Sequence, residues 1–347
     1  IAWAYWVSLF VGNGAIAVAA VSYLSAFIPA LATNALLSTG ITIGLVWTLT
    51  AVNISGTRNM GWVQVVTTVL KIMPLVAVVI IAAMAAPAGD LTLPDPNKPE
   101  IGLAAITTAG TLTLWAFLGL ESATVPAGKV IDPERTIPRA TLGGTALTGL
   151  IYLFACMAVI LLLAPDVAAH SAAPFAEVMG RYWGSGAAHV VAAFAMISAL
   201  GALNGWILLQ GEMPAAMSAG GVFPKALGKL AANGVPVRAH LLSSGLVTAV
   251  LALNASKTTV NLFTFIALLA TTAALVMYLF VAAAALKLGG VKRWVAIAGA
   301  VYSVWALYGA GFEANMWGAA LIAAGVPVWW VMRRSSVIPA KAGISGE

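Results

Sequence analysis

Apolar residues occur along this chain in long continuous runs that short polar stretches interrupt. A helix that crosses a bilayer needs about 20 apolar residues. The runs are rich in Ala, Leu and Val, and they lack the alternation over about ten residues that is typical of a membrane β-barrel. They predict ten transmembrane helices, at residues 2–31, 35–55, 61–85, 103–125, 140–164, 185–210, 239–256, 259–286, 294–311 and 315–332.

Composition agrees with this pattern. Of the 347 residues, 61% are hydrophobic and only 8% are charged, whereas about 25% of residues are charged in a typical soluble domain. A soluble enzyme and a nucleic-acid-binding domain are therefore excluded. The basic residues are few and dispersed, so they form no basic patch of the kind that binds nucleic acid. We predict an all-α, polytopic membrane protein whose main surroundings are the lipid bilayer.

The basic residues are distributed unequally between the two sides of this predicted bundle. One set of alternate loops, with the C-terminal tail, contains 13 of them: Arg58, Lys129, Arg135, Arg139, Lys225, Lys229, Arg238, Lys287, Lys292, Arg293, Arg333, Arg334 and Lys341. The opposite loops contain Lys98, Arg181 and Lys257. Because cytoplasmic loops are enriched in Lys and Arg, both ends of this chain are predicted to be cytoplasmic.

The ends of the chain suggest its domain organisation. Residues 1–57 contain no charged residue or His, the first residue is Ile, and no signal peptide is visible. We expect that the natural N-terminal part is missing. Residues 1–332 form one predicted transmembrane domain, residues 333–347 a disordered cytoplasmic tail, and residues 211–238 an inner loop with a short amphipathic helix.

Two charged residues, Glu121 and Lys71, fall well inside predicted spans, where a charge costs roughly 2.5–3.5 kcal/mol. Gly119 lies two residues before Glu121 and would allow the helix to unwind locally, as in transporters that build substrate sites from broken helices. Glu121 could exchange a proton during transport, or it could be a structural carboxyl bonded to another helix. Lys71 could extend to the inner interface, or its ammonium could replace a coupling cation between helices.

Uncharged polar residues in spans allow two interpretations. Asn13 and Asn204 could bond to a neighbouring helix or to a ligand. Trp115 and Trp206 lie near mid-span, away from the interfaces where Trp usually collects, and could be core residues or could stack on a cationic ligand.

No soluble catalytic motif is present, and one in-span Glu without a mid-span His argues against an intramembrane hydrolase. His170, His189 and His240 lie at or near span ends, where we expect wetted interface positions, and their spacing predicts no metal site. We therefore predict neither an enzyme nor a metal or cofactor site.

One motif resembles a known family. The residues TLWAFLGLESA at 113–123 and DPERTIPRAT at 132–141 resemble the sixth helix and following loop of the amino acid–polyamine–organocation (APC) superfamily. The similarity is greatest to its basic amino acid/polyamine antiporters, such as the arginine–agmatine exchangers, and extends to about residue 332. The resemblance implies a twelve-helix fold with inverted repeats, of which this chain would contain helices 3–12 and lack the first two.

The resemblance also implies roles for individual residues. Trp115 resembles an aromatic gate that stacks on the substrate, Trp206 a pocket Trp, and Tyr278 part of a barrier between outside and inside. The predicted substrate-binding or gating set is Trp115, Trp206, Asn13, Tyr278, Tyr5, Ala116 and Gly119.

The resemblance implies that Glu121 is the acidic residue connected with gating and proton dependence. It also implies that Lys71 corresponds to a lysine of proton-coupled relatives, in which the lysine replaces a sodium ion. Ala270 and Ile16 differ from the corresponding residues of an arginine exchanger, which argues against arginine specificity but leaves the transporter class unchanged.

The predicted function is transport of amino acids or polyamines across the bacterial inner membrane by alternating access, most simply as substrate exchange. A proton-coupled amino acid symporter and a non-transporting remnant of such a permease are the alternatives. The branch includes dimers, so a homodimer is a further expectation.

Overall fold

The computed structural model describes residues 1–56, 60–92, 102–121, 130–289 and 291–335. The helices within them are α1 (Ala2–Leu24), α2 (Ala30–Thr33), α3 (Ala35–Ile54), α4 (Met60–Ala85), α5 (Leu103–Trp115), α6 (Pro133–Leu162), α7 (Pro165–His170), α8 (Pro174–Trp183), α9 (Ser185–Ala219), α10 (Val237–Leu253), α11 (Thr259–Leu288), α12 (Arg293–Gly309), α13 (Gly311–Ala323) and α14 (Gly325–Ser335).

Each predicted span coincides with one of these helices or, at the C-terminal end, with the α13–α14 pair. Six helical stretches in the described residues are long and apolar enough to cross a membrane, and three shorter helices are also apolar. The all-α membrane fold is thus confirmed. The inverted repeat and the numbering of the helices as 3–12 stay predictions. Four basic residues used for the orientation lie outside the described residues: Arg58, Lys98, Lys129 and Lys341.

Four span boundaries were wrong, one of them because α6 begins at Pro133 and not near residue 140. α1 ends at Leu24, and a turn leads from there to Pro29 at the start of α2. α9 continues to Ala219, into the predicted inner loop, and the part of this loop between α9 and α10 contains a short 3₁₀ helix, Lys225–Gly228, in place of the predicted amphipathic helix. α5 ends at Trp115. Of the predicted tail, 336–347 lie outside the described residues.

Helix α1 lies at the centre of the bundle and packs against α9 and α11, with α3 and α10 also in contact. Its buried residues include Trp6, Phe10 and Val18, each at most 1% exposed. The peripheral helices α6, α12 and α14 present large apolar side chains to the outside. In lipid these side chains need no protein cover, because hydrocarbon is as apolar as they are.

The close contact between α5 and α12 depends on Gly309. Thr111 Oγ1 donates a hydrogen bond to the Ala306 carbonyl across this contact (2.9 Å). A Cβ at position 309 would be 2.6 Å from the carbonyl oxygen of Thr107 and would also collide with the Thr111 hydroxyl. The two backbones can therefore approach this closely only because residue 309 has no side chain.

We expect Gly309→Ala to destabilise the protein by about 1–3 kcal/mol, because overpacking a tight contact costs that much. Thermal unfolding of the detergent-purified protein measures the effect. The control is Gly44→Ala on α3, where a Cβ meets nothing within 4 Å and stability should not fall. Equal unfolding temperatures for the two variants would contradict the close contact.

Candidate functional site

A cavity of about 390 Å³ lies between α1, α4, the end of α5, α9 and α11. Its wall is mostly apolar and aromatic, with a few polar groups, as is usual for small-molecule sites. The lining residues include Asn13, Tyr23, Lys71, Trp115, Ala116, Gly119, Glu121, Tyr152, Phe175, Ser198 and Trp206.

The cavity lies where α5 stops being helical. After Trp115 the chain continues in tighter turns, in which the amides of Phe117 and Leu118 donate to the carbonyls of Leu114 and Trp115. Gly119 has φ +102°, a backbone conformation that residues with a side chain rarely adopt. The predicted break in the helix near Gly119 is confirmed.

Gly119 is also covered by an aromatic ring. A Cβ at this position would be 2.5 Å from Cζ2 of Trp206 and still nearer to the adjoining ring carbon. The Trp206 ring thus lies directly on the backbone of the turn. Residue 119 must therefore be glycine for two independent reasons, its backbone angle and this contact.

The carboxylate of Glu121 connects three segments of the chain. Its Oε2 accepts a hydrogen bond from the backbone amide of Gly119 (3.0 Å) and another from the Tyr278 hydroxyl on α11 (2.9 Å). The Tyr5 hydroxyl on α1 also interacts with this carboxylate. Since hydrogen bonds to an ionised group are the strong ones, Glu121 joins α1, α11 and the turn after α5.

Two buried polar atoms of the cavity wall have no hydrogen-bond partner among the described residues. They are Asn13 Oδ1 and Ser198 Oγ. The Asn13 amide nitrogen is occupied, because it donates to Gln210 Oε1 at 2.7 Å. An unpaired buried acceptor is costly, so both atoms are candidate ligand contacts.

The aromatic residues surround the cavity from several helices. Trp115 packs edge-to-face against Phe263 of α11, with ring centroids 5.2 Å apart. Trp206 packs against the small cluster formed by Tyr5, Leu9 and Met277. Aromatic faces attract cations electrostatically, so the wall suits a ligand that is both positively charged and partly apolar.

The structure brings the predicted site residues together. Seven of them line the cavity: Asn13, Lys71, Trp115, Ala116, Gly119, Glu121 and Trp206. The other two, Tyr5 and Tyr278, lie behind the wall and contact Glu121. Asn204 instead accepts a hydrogen bond from Asn53 of α3 (2.8 Å), so its amide connects two helices.

His240 was predicted wrongly as a wetted residue. It is fully buried, because α9 extends past residue 210 and Gly211 packs directly against the imidazole ring. His170 and His189 are exposed, as expected. In the described part of the chain no group of three His, Cys, Asp or Glu side chains could hold a metal ion.

The residues near this site that sequence reasoning missed include Tyr23, Tyr152, Phe175, Ser198 and Gln210. Tyr23 and Ser198 are polar residues in apolar runs, a signal that could have found them. Phe175 belongs to α8, in a segment predicted only as an outer loop, so no signal pointed to the cavity.

The fold and the cavity together define a polytopic helical membrane protein of the permease type. A family model described as amino acid permease matches residues 1–338. The chain belongs to this amino acid permease family, within the APC superfamily.

Named relatives agree with the basic amino acid/polyamine branch. The chain is 36% identical over 257 residues to the cadaverine/lysine antiporter of Escherichia coli strain K12, which covers 72% of this chain and 56% of that protein. It is 31% identical over 325 residues to the putrescine transporter PotE of the same strain, and this match covers 90% of this chain and 74% of that protein. The chain thus spans little more than half the length of the first of these relatives.

Proposed function

We propose that this protein exchanges cationic amines, either diamines or basic amino acids, across the bacterial inner membrane by alternating access. The observation that carries the proposal is the Glu121 carboxylate, which lines an aromatic cavity and is held by Tyr278 and Gly119. A carboxylate, two tryptophans and unpaired acceptors together suit an ammonium group. The relatives named for cadaverine, lysine and putrescine support this class of substrate.

The hydrogen bonds of Glu121 would form a barrier on one side of the cavity. By the predicted orientation α1 runs outward, while α11 and the segment after α5 run inward. Tyr5, Tyr278 and Glu121 then lie on the cytoplasmic side of the substrate. Breaking the bond between Glu121 and Tyr278 would open this side, and re-forming it would close it, as alternating access requires.

Exchange is tested with purified protein in liposomes that contain 1,5-diaminopentane. Labelled 1,5-diaminopentane added outside should enter rapidly, and empty liposomes should take up about tenfold less, because the empty carrier would have no substrate for the return step. Uptake that does not depend on internal substrate would contradict exchange. Liposomes without protein control for passive leakage.

Proton-coupled symport is the second candidate, favoured by the position of Lys71 in the cavity wall beside Pro74. If it operates, a pH gradient should drive uptake into empty liposomes, and Lys71→Met should abolish that uptake because the ammonium can no longer give up a proton. Lys287→Met, at an exposed position in the last turn of α11, is the control. Gradient-driven uptake that survives Lys71→Met would exclude a proton-carrying Lys71.

A cytoplasmic position for both chain ends and a homodimer belong to the same proposal. The excess of basic residues in alternate loops supports the orientation. Cysteine labelling at Ser171, in the predicted outer segment, and at Lys225, in the predicted inner loop, tests it in whole cells. An impermeant reagent should modify only the first, and the reverse result would invert the topology.

A further inference from the structure

Four helices meet behind the cavity wall at a chain of buried hydrogen bonds. Thr50 Oγ1 on α3 donates to the Val46 carbonyl (2.7 Å) and lies 2.7 Å from Ser244 Oγ on α10. Gln210 Nε2 on α9 bonds to Ser244 Oγ (2.9 Å), and Asn13 Nδ2 on α1 bonds to Gln210 Oε1 (2.7 Å). The side chains from Thr50 to Asn13 are at most 1% exposed.

The hydrogens of these groups indicate which partner donates in each of the hydrogen bonds from Thr50 to Asn13. A hydroxyl has one hydrogen to donate, and a backbone carbonyl can only accept. With the Thr50 hydrogen on the Val46 carbonyl, Thr50 accepts from Ser244, and Ser244 then accepts from Gln210. The amide groups agree with this direction, because Gln210 Nε2 faces Ser244 Oγ and Asn13 Nδ2 faces Gln210 Oε1.

Both amides follow this direction. Gln210 directs its NH₂ group at Ser244 and its carbonyl oxygen at Asn13, and Asn13 directs its own NH₂ group at Gln210. The only polar side-chain atom of Asn13 without a partner among the described residues is therefore its oxygen, and Asn13 lines the cavity.

We infer that Thr50, Ser244 and Gln210 are positioning residues that make Asn13 a hydrogen-bond acceptor and thereby select a donor group, an ammonium, in the cavity. This inference rests on the proposed amine substrate. Without these hydrogen bonds, the Asn13 amide could rotate and present its NH₂ group to the cavity. An ammonium, which only donates, cannot bond to that group. Specificity would thus begin at a backbone carbonyl on α3, three side chains away from the cavity.

The backbone of Gln210 is held as well. Ser243 Oγ donates to the Gln210 carbonyl (2.9 Å) and accepts from Trp6 Nε1 (2.9 Å). Gln210 is therefore tied to α10 through both its main chain and its side chain, and to α1 through Asn13. A residue fixed at three points can hold the Asn13 amide in one orientation.

Thr50→Val tests the inference because it removes the acceptor that fixes the direction of the chain. Ser244 can then donate to Gln210, and both amides can reverse. The apparent affinity for 1,5-diaminopentane should fall about tenfold, because a charged hydrogen bond is lost, with little change in maximal exchange rate. Competition by 5-amino-1-pentanol, whose hydroxyl can also accept, should weaken less than about threefold.

Two control variants separate this effect from general damage. Thr42→Val on the same helix removes an equally buried hydroxyl that donates to the Ser38 carbonyl (2.8 Å), and it should leave both affinities unchanged. Thr50→Ser keeps a hydroxyl and should restore the wild-type preference. Equal affinities for Thr50→Val and Thr42→Val in a protein that exchanges diamines would overturn the inference.

A second measurement needs no substrate. It therefore tests the hydrogen-bond chain from Thr50 to Asn13 even if the wild-type protein binds no amine and the proposed function fails. Combining Thr50→Val with Asn13→Ala should shift the thermal unfolding midpoint by about 2 °C less than the sum of the single shifts. The pair Thr42→Val with Asn13→Ala should be additive. Additive shifts in both pairs would show that no directional chain connects Thr50 to Asn13.

Discussion

Replacing Glu121 with Gln should lower the rate of diamine exchange about 10- to 100-fold. The carboxylate accepts from Gly119 N and from the Tyr278 hydroxyl, and hydrogen bonds to a charged group contribute about 1.5–3 kcal/mol each. An amide of nearly the same shape keeps weaker versions of these bonds and loses the attraction for an ammonium. Initial rates of labelled 1,5-diaminopentane exchange in liposomes measure the effect.

Two further variants identify the cause. Glu134→Gln makes the same chemical change at an exposed position in the first turn of α6 and should exchange at the wild-type rate. Tyr278→Phe keeps the carboxylate and removes one donor, so its loss should be smaller, about tenfold. Wild-type exchange by Glu121→Gln would rule out both the barrier and the substrate contact.

Replacing Gly119 with Ala should reduce exchange about 100-fold while the protein still reaches the membrane. The added methyl group collides with Trp206, and φ +102° is strained for any residue with a side chain. Overpacking and strain of about 1–3 kcal/mol each would displace either the Trp206 ring or the turn that carries Glu121. Exchange rate per unit of purified protein is the measurement.

The controls for Gly119 separate backbone strain from collision. Gly184 has φ +85° with nothing within 4 Å of a Cβ, so Gly184→Ala carries the strain alone. The double variant Gly119→Ala with Trp206→Phe shortens the ring that the methyl group would meet. If this double variant recovers part of the exchange lost in Gly119→Ala, the contact between residue 119 and Trp206 matters. An equally large loss in the double variant and in Gly119→Ala would contradict a role for this contact.

Much of the fold follows from chain composition, because a bilayer leaves few alternatives to long apolar helices. Part of the site could be predicted from the sequence for a related reason. Charges and glycines inside apolar runs are costly, so Glu121 and Gly119 already indicated where α5 would break. Lys71 stood out in the same way, and the structure places this residue, which is exposed, in the wall of the same cavity.

The rest depends on how helices cross, which local sequence does not encode. His240 and Asn204 look like Asn13 in sequence, as polar residues near or inside an apolar run. Only the packing of α9 against α3 and α10 buries His240 and pairs Asn204 with Asn53. The direction of the bonds from Thr50 to Asn13 requires four helices to meet, so no single segment could have predicted it.

The end of α5 has a consequence for the electrostatics of the cavity. A helix carries roughly half a negative elementary charge at its C-terminus, because its last carbonyl dipoles point outward. α5 ends at Trp115, in the cavity wall, so this partial charge would lie beside a cation in the cavity. The peptide backbone itself, independently of any side chain, would then attract the amine that we propose as substrate.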